Sequence, residues 1–240
     1  MGHPLRFASY TPYFTYRMVK CRSMSSAHPT DTRRRILQAA KQIAQDNRSI
    51  QGVTISLEAV AKRAGLTKPG LLYHFPTKEA LITGLVDAAA ANWAQMISAA
   101  CTQAAVEASD GTGDSGCSGA PGHDPEPAGE PADFSVFARY RGYVRVATSA
   151  RVSRADYWIF SDALYHPALS HVWHDRLNPW FSTAGVSAAA RAWLTTARFC
   201  ADGAWMSEAT GMFPAAELDS VRSHALELVD RARAAEGEHG

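Results

Sequence analysis

The sequence of 240 residues predicts an all-α fold. Apolar residues recur every three or four positions through most of the chain, which is the period of amphipathic helices, and alternating strand patterns are essentially absent. The charge divides the chain in two. Residues 1–78 carry thirteen Lys and Arg against three Asp and Glu, whereas residues 79–240 carry eleven against twenty. The net charge of +1 is therefore a near-cancellation, and the split predicts a module for a polyanion joined to a unit with another role.

The first part of the chain, residues 1–29, is expected to be a disordered or over-called arm. Residues 1–23 contain four basic and no acidic residues and show no helical period. They also lack the continuous apolar core of a secretory signal. The helical pattern becomes clear only after Met24, which could be the true start of the protein.

Several classes of protein are excluded by composition. No apolar run approaches the ~18 residues of a membrane-spanning helix, so no membrane partner is expected. The four cysteines, Cys21, Cys101, Cys117 and Cys200, lie far apart and show no C-x-x-C spacing. This pattern argues against a zinc knuckle and a disulfide framework and favours a cytoplasmic protein with reduced thiols.

The basic region, residues 30–76, has the pattern of three short helices. The first is opened by Thr30 or Asp31. In the next stretch, SLEAVAKRAGLTKPGLLYHFPTKEAL, Ser56 and Thr67 stand at helix-capping positions and Gly65 between them supplies the left-handed conformation of a sharp turn. Two helices joined by a three-residue turn containing glycine describe a helix-turn-helix.

The second helix of such a motif lies in the major groove, so its exposed residues are the expected DNA contacts. Lysine donates to guanine or phosphate oxygens, a glycine permits close backbone approach, and Tyr and His donate to phosphates. A second phosphate site is expected where the next helix opens, because its first N–H groups are unpaired. The predicted DNA-binding residues are Thr54, Thr67, Lys68, Gly70, Tyr73, His74, Thr77 and Lys78. Phe75 is expected in the core.

These residues resemble the DNA-binding domain of the TetR/AcrR family of bacterial transcriptional repressors. AGLTKPGLLYHFPTKEAL matches that family's order of alanine-glycine, a Ser/Thr-Lys pair, Tyr-His-Phe and Thr-Lys-Glu. Two positions depart from it: Pro69 stands where glycine is common, and Leu72 where many members have an aromatic phosphate ligand. The resemblance implies double-stranded DNA as partner and a second domain that binds a small effector and forms a homodimer.

The remaining chain, residues 77–235, is predicted to be that helical ligand-binding and dimerisation domain, followed by a tail at 236–240. A long helix opens at Thr77. A Gly- and Pro-rich acidic loop at 109–132 cannot bury enough apolar surface to be ordered and is expected to be flexible. Helices are predicted near 134–150, 152–165, 168–182, 187–209 and 214–235.

Aromatic residues concentrate in this domain, with fifteen in residues 134–213. Each one alone is more simply explained as core, but together they indicate an apolar cavity. The predicted ligand-binding residues are Trp93, Met96, Tyr140, Tyr143, Trp158, Asp162, Trp173, Trp180, Asp202 and Trp205. Interspersed acids favour a cationic lipophile, whereas Tyr140 and Tyr143 with the neighbouring arginines equally suit an anionic or phenolic ligand.

Two stripes of small and apolar residues near the C-terminus predict a dimer contact. One contains Leu218, Val221, Ala225, Leu228, Val229 and Ala232, and the other Trp193, Ala197, Cys200, Ala201 and Ala204. Packing of the two helices on each other is the simpler explanation, and a four-helix contact between two copies is the other.

The overall prediction is a dimeric, ligand-responsive repressor released from a palindromic operator by a small lipophilic or aromatic effector, with no catalytic residue and no cofactor. Two alternatives remain. His171, His174 and Asp175 could hold a metal in a helical-bundle enzyme, although no nucleophile elbow or H-E-x-x-H motif is present. A nucleic-acid-binding adaptor without sequence preference would also explain the charge split.

Overall fold

The computed structural model describes residues 29–46, 55–110, 129–149, 154–164 and 166–237, all helices and their connections. Three short helices come first: α1 (Pro29–Asp46), α2 (Leu57–Arg63) and α3 (Lys68–His74). The long helix α4 (Lys78–Asp110) follows, and after a 3-10 turn at Pro131–Asp133 come α5 (Val136–Ala147) and α6 (Arg154–Leu164). The chain ends with α7 (Pro167–Phe181), α8 (Ala188–Thr210) and α9 (Leu218–Gly237). The all-α prediction is confirmed, since the described residues contain no strand.

Two apolar cores hold the molecule together, and α4 passes through both. The head core joins α1, α2 and α3 to the first turns of α4, around Ile36, Val60, Leu71, Phe75 and Leu81. The body core joins the second half of α4 to α5, α7, α8 and α9. Because α4 is 33 residues long, one continuous helix contributes to both cores.

Helix α6 and the start of α7 belong in part to the head. Ile159 and Ala163 of α6 and Leu169 of α7 are buried in the head core, although they lie far along the chain from α1–α3. Trp173 of α7 packs against both cores. The head therefore rests on α6 and α7 as well as on α4.

The two edges of the predicted acidic loop, residues 109–110 and 131–132, are helical. Helix α4 continues through Asp110, and residues 131–133 form a 3-10 turn in which the Glu130 backbone N–H donates to Asp133 at 2.7 Å. Between them, residues 111–128 lie outside the described residues. Most of residues 1–29 and Thr54 are likewise outside the described part of the chain.

Glycine permits close contact between α4 and α5. A Cβ atom added to Gly142 would lie 2.6 Å from the Cys101 sulfur and 3.0 Å from the Ile97 carbonyl oxygen. Only a residue without a side chain fits there, which fixes the register of these two helices.

Candidate nucleic-acid interface and effector cavity

The turn between α2 and α3 is built by local capping, as the sequence predicts. Ser56 Oγ accepts from the Ala59 N–H at 3.1 Å, and Thr67 Oγ1 accepts from the Gly70 N–H at 3.2 Å. Gly65 adopts a φ of 67°, the left-handed conformation that lets the chain reverse within three residues. The two short helices therefore form a helix-turn-helix.

Helix α3 has one buried side and one exposed side. Leu71 and Phe75, at its C-terminal end, are buried in the head core. On the other side Tyr73 is 83% exposed, and Thr67 and Lys68 are exposed at the helix start. An exposed Tyr of this size, with no buried neighbour to explain it, is available to a phosphate oxygen.

Lys68 is not free in this structure, which the sequence did not reveal. Its ammonium donates to Glu58 in the first turn of α2, and both side chains are largely exposed. The hydrogen bond from Lys68 is the main cause that lowers the pKa of Glu58. The carboxylate thus lies beside one of the predicted DNA-binding residues.

The start of α4 forms the other part of this surface. Thr77 Oγ1 accepts from the Ala80 N–H at 3.0 Å and so caps α4, which begins at Lys78, one residue after the predicted start. The pKa of Glu79 is lowered by its backbone amide and by a hydrogen bond from Thr77. Thr77 and Lys78 are exposed, and Glu79 adds a carboxylate to this helix start.

Seven of the eight predicted DNA contacts are therefore brought together on α3 and the adjoining start of α4. Thr54 is the eighth and lies outside the described residues. Gly70 is partly exposed, and His74, also partly exposed, lies with its ring 5.2 Å from the Tyr73 ring, edge to face. All seven thus lie within the short stretch from Thr67 to Lys78.

A contact between α1 and the end of α3 was not predicted. Arg33 Nη1 donates to the His74 carbonyl oxygen at 3.2 Å, and the guanidinium lies 4.1 Å from the centre of the Phe75 ring. Gly84 of α4 faces the same ring, since an added Cβ would lie 2.7 Å from Phe75. Arg33 and Gly84 therefore hold the recognition helix in place.

Head and body are also joined by an ion pair. Lys41 of α1 donates to Asp156 of α6 at 2.7 Å. The Asp156 side chain is 2% exposed and the Lys41 side chain 32% exposed. Helix α6 is thus joined to the head by an ion pair as well as by apolar contact.

The aromatic residues predicted to bind a ligand are mostly packed on each other. Trp93, Tyr140, Tyr143 and Trp205 are at most 5% exposed and belong to the body core. The Trp93 ring lies 4.9 Å from that of Trp205 and 5.9 Å from that of Tyr143. These four residues are therefore part of the core, which is the simpler of the two explanations for their aromatic character.

Three other predicted ligand-binding residues line three different clefts. Trp180 lines a cleft of about 590 Å³ between α4 and α7, and Met96 lines one of about 530 Å³ between α4 and α5. Trp158 lines a cleft of about 430 Å³ between head and body. The side chain of Asp162 is outside the described part. The ten residues therefore do not meet at one place.

One cavity, of about 620 Å³, lies between α6, α7 and α8 and is walled largely by aromatic and aliphatic side chains. Its lining includes one predicted residue, Trp173, together with Phe160, Leu177, Phe181 and Arg198, which were not predicted. We call it the α6–α8 cavity. Its volume lies within the range of small-molecule sites.

A buried polar pair lies behind this cavity. The Tyr143 hydroxyl donates to Asp202, and Arg198 Nε lies 3.8 Å from the other Asp202 oxygen. Burial raises the pKa of Asp202 and, together with Asp202 itself, raises that of Tyr143 well above its usual value. The Asp202 carboxylate, one of the predicted ligand-binding groups, is thus already hydrogen-bonded to Tyr143.

Both halves of the chain match a single family. Residues 36–85 match the family described as bacterial regulatory proteins, tetR family, and residues 138–230 match the tetracyclin repressor-like C-terminal domain. The chain belongs to the TetR family of transcriptional regulators. The resemblance carried by residues 64–81 is confirmed, and the second half is assigned to the same family independently of that motif.

Solved structures share the fold of this TetR-family protein. A TetR-family regulator from Mesorhizobium loti superposes with a TM-score of 0.55 at 16% identity, over 87% of this chain and 98% of the other. One from Rhodococcus sp. gives 0.51 at 18% identity, over 83% and 97%. No curated protein matches the sequence. The likeness therefore shows a common architecture of helix-turn-helix head and helical body.

The histidines considered as metal ligands lie on the surface of α7 in this regulator. His171 and His174 are exposed, and His174 Nδ1 lies 3.4 Å from the Asp175 carboxylate. Within the part of the chain that the structure covers, no three His, Cys, Asp or Glu side chains gather closely enough to hold a metal. Among the same residues, no helix combines the length and apolarity needed to span a membrane.

Proposed function

We propose that this TetR-family regulator is a dimeric repressor that binds a palindromic operator and is released by a small apolar or aromatic effector bound to its body. The observation that carries the proposal is the surface of α3 and the α4 start. Thr67, Lys68, Tyr73 and Lys78 are each exposed there, whereas Leu71 is buried in the core. Such a face offers base contacts flanked by phosphate contacts.

Dimerisation is supported by the outer face of α8 and α9. The two predicted stripes each divide: Ala197, Ala201, Ala225 and Val229 are buried between the helices, whereas Trp193 and Cys200 are exposed. A shallow groove lined by Cys200, Val221 and Leu228 lies on the same outer face.

Gly203 of α8 adds to this argument, because a Cβ there would meet nothing within 4 Å of the same chain. An exposed mid-helix glycine lowers helix stability by roughly 1 kcal/mol relative to alanine. Close approach of another surface would explain why glycine stands there. We infer that a second copy packs there and that the two heads then face half-sites one helical turn apart.

Release of DNA requires that effector binding change the position of the head. Helix α6 contributes Phe160 to the α6–α8 cavity, and the same helix carries Asp156, bound to Lys41 of the head. A ligand that shifts α6 or α4 therefore shifts the separation of the two recognition helices. The change is a population shift between DNA-binding and released states.

The experiment that tests the proposal is footprinting on DNA upstream of the protein's own gene, followed by binding titrations of the protected site at several salt concentrations. A sequence-specific repressor prefers that site to random DNA by ~10³ or more. Equal affinity for both, with only a salt-dependent phosphate contribution, would instead indicate the non-specific adaptor.

Single variants separate the two kinds of contact on this surface. Lys78→Ala is expected to weaken binding to all sequences and to lower the salt slope by about one unit, because one phosphate contact is lost. Lys68→Ala is expected also to relax base preference. Arg191→Ala, at an exposed position on α8, is the matched control and should leave both quantities unchanged.

A further inference from the structure

We infer that the α6–α8 cavity binds a flat aromatic acid, with its anionic group on the Arg198 guanidinium and its ring against Trp173 and Phe181. The inference names the chemical class of the effector, and it rests on the proposed function only in the claim that binding releases DNA.

The walls of the cavity are suited to an aromatic ring. Phe160 and Trp173 lie with ring centres 5.5 Å apart, and Leu177 and Phe181 of α7 also line the space. At about 620 Å³ the cavity is several times larger than a one- or two-ring molecule, so it admits the ligand with room for a substituent.

The polar part of the lining contains one arginine and no carboxylate. Arg198, His171, His174, Ser170 and Asn178 line the cavity, and none of its lining residues is acidic. Among them only Arg198 carries a charge irrespective of pH. The Ser170 hydroxyl already donates to the Pro167 carbonyl oxygen at 2.9 Å, and His174 Nδ1 lies 3.4 Å from the Asp175 carboxylate. A cationic ligand would meet no carboxylate on these walls, whereas an anion would meet a guanidinium.

Arg198 is only partly engaged within the protein. Its Nε is buried and makes no hydrogen bond in the described structure. The nearest Asp202 oxygen is 3.8 Å away, beyond hydrogen-bond distance, and that carboxylate already accepts from Tyr143. The guanidinium lies 5.6 Å from the Phe181 ring centre and 5.1 Å from that of Phe199. A planar cation between rings, with donors unused, is suited to a carboxylate or phenolate.

Two further donors lie in the layer of rings behind the wall. The indole N–H groups of Trp93 and Trp205 are buried without a hydrogen-bond partner in the described part. The Trp205 ring lies 5.3 Å from Phe160, and the Trp93 ring 6.5 Å from Trp173. Unpaired buried N–H groups are unusual in folded proteins. Because neither tryptophan lines the cavity, the preference for an anion rests on Arg198 alone.

The test compares three probes of one shape and different charge: naphthalene-2-carboxylate, naphthalene-2-carboxamide and naphthalen-2-ylmethylammonium. Binding to the full chain is measured by isothermal titration calorimetry in metal-free buffer. We expect the carboxylate to bind about tenfold more tightly than the carboxamide, because its bond to Arg198 is charge-assisted. The ammonium probe is expected to bind weakest.

Variants at Arg198 locate this preference. Arg198→Gln should reduce the ratio between carboxylate and carboxamide to about twofold or less, and Arg198→Lys should retain part of it. Arg191→Gln, two turns earlier on the same helix and not in the cavity lining, should keep the wild-type ratio. Circular dichroism and sedimentation of each variant show whether fold and assembly are intact.

Several results overturn the inference. They are tightest binding of the ammonium probe, an unchanged ratio in a folded Arg198→Gln, no saturable binding of any probe, or carboxylate binding that appears only when Zn²⁺ is added. Titration of the protected DNA in the presence of naphthalene-2-carboxylate separates the two proposals. Binding of the probe with the expected ratio but without loss of DNA affinity contradicts the effector mechanism and leaves the cavity assignment standing.

Discussion

Lys41 of α1 and Asp156 of α6 form an ion pair of 2.7 Å whose carboxylate is almost wholly buried. The pair joins the helix-turn-helix head to a helix that also lines the α6–α8 cavity, so it lies between the two sites that we propose to be coupled.

The two partners of this pair are expected to differ in their effect on stability. Lys41→Met leaves a carboxylate buried without its ammonium and should reduce the free energy of unfolding by about 2–3 kcal/mol. Asp156→Asn leaves a lysine that is one-third exposed and reaches water, so about 1 kcal/mol is expected. Urea unfolding followed by circular dichroism measures both. A larger loss for Asp156→Asn than for Lys41→Met contradicts this account.

Glu58 is expected to weaken DNA binding by holding Lys68. Glu58→Gln removes the carboxylate and releases the ammonium, so affinity for DNA should rise and the salt slope should steepen by up to about one unit. In a Lys68→Ala background the same substitution should bring a smaller gain, since no lysine is released. Binding titrations over a range of salt for the four proteins of this cycle test the coupling, and equal gains in both backgrounds would argue against it.

The contact between Gly84 and Phe75 is expected to tolerate no added methyl group. Gly84→Ala places a Cβ 2.7 Å from the Phe75 ring, and we expect about 1–3 kcal/mol of lost stability, together with weaker DNA binding. Phe75→Leu alone should also destabilise, by creating space in the core. Combined, the two should be less destabilising than their sum, as thermal unfolding would show; strict additivity would mean that the two residues do not touch in solution.

Asp202 predicts a pH dependence of stability. Its pKa is raised by burial, so the folded protein binds this proton more tightly than the unfolded chain does. The contribution of Asp202 therefore becomes less favourable as pH rises from the unfolded value, about 3.9, through the raised folded value. As pH rises through this window, the free energy of unfolding of Asp202→Asn should therefore increase relative to that of the wild type. Above the window the difference between the two proteins should stay constant. Unfolding free energies of both proteins at a series of pH values measure this difference. If the stability of Asp202→Asn relative to the wild type rose on acidification, the pKa of Asp202 would be lowered and not raised by folding.

The outer face of α8 is expected to hold the two subunits together. Cys200→Glu places a charge in the groove beside Val221 and Leu228 and should shift the protein from dimer to monomer by about tenfold or more in dissociation constant, because the carboxylate must be desolvated on association. Ser223→Glu, an exposed α9 position that does not line the groove, is the control. Analytical ultracentrifugation measures both, and a dimer equally stable in the two variants would place the interface elsewhere.

The helix-turn-helix could be predicted from the sequence because its signals are local. Ser56, Thr67 and Thr77 cap helices through hydrogen bonds to residues three positions later, and Gly65 supplies a conformation that few other residues adopt. A resemblance over residues 64–81 then sufficed to predict where the exposed surface would lie, and seven of its residues are found together on it.

The α6–α8 cavity could not be predicted in the same way, because it depends on which rings face each other across helices. Trp93, Tyr143 and Trp205 are residue types that are typical of ligand cavities, yet they fill the body core. Phe160, Phe181 and Arg198 gave no local signal, and they meet only because α6, α7 and α8 converge. Lys41 and Asp156 are separated by 115 positions, and no periodicity relates them.

The sequence by itself thus determined the helical class, the capped turn and the family, since each follows from neighbours within a few residues. Only the tertiary structure decided which aromatic residues are core and which line a cavity, that Glu58 holds Lys68, and that α6 joins head to body. Burial and ion pairing between distant residues depend on how the helices pack, and an amphipathic pattern specifies that a face is buried without specifying against what.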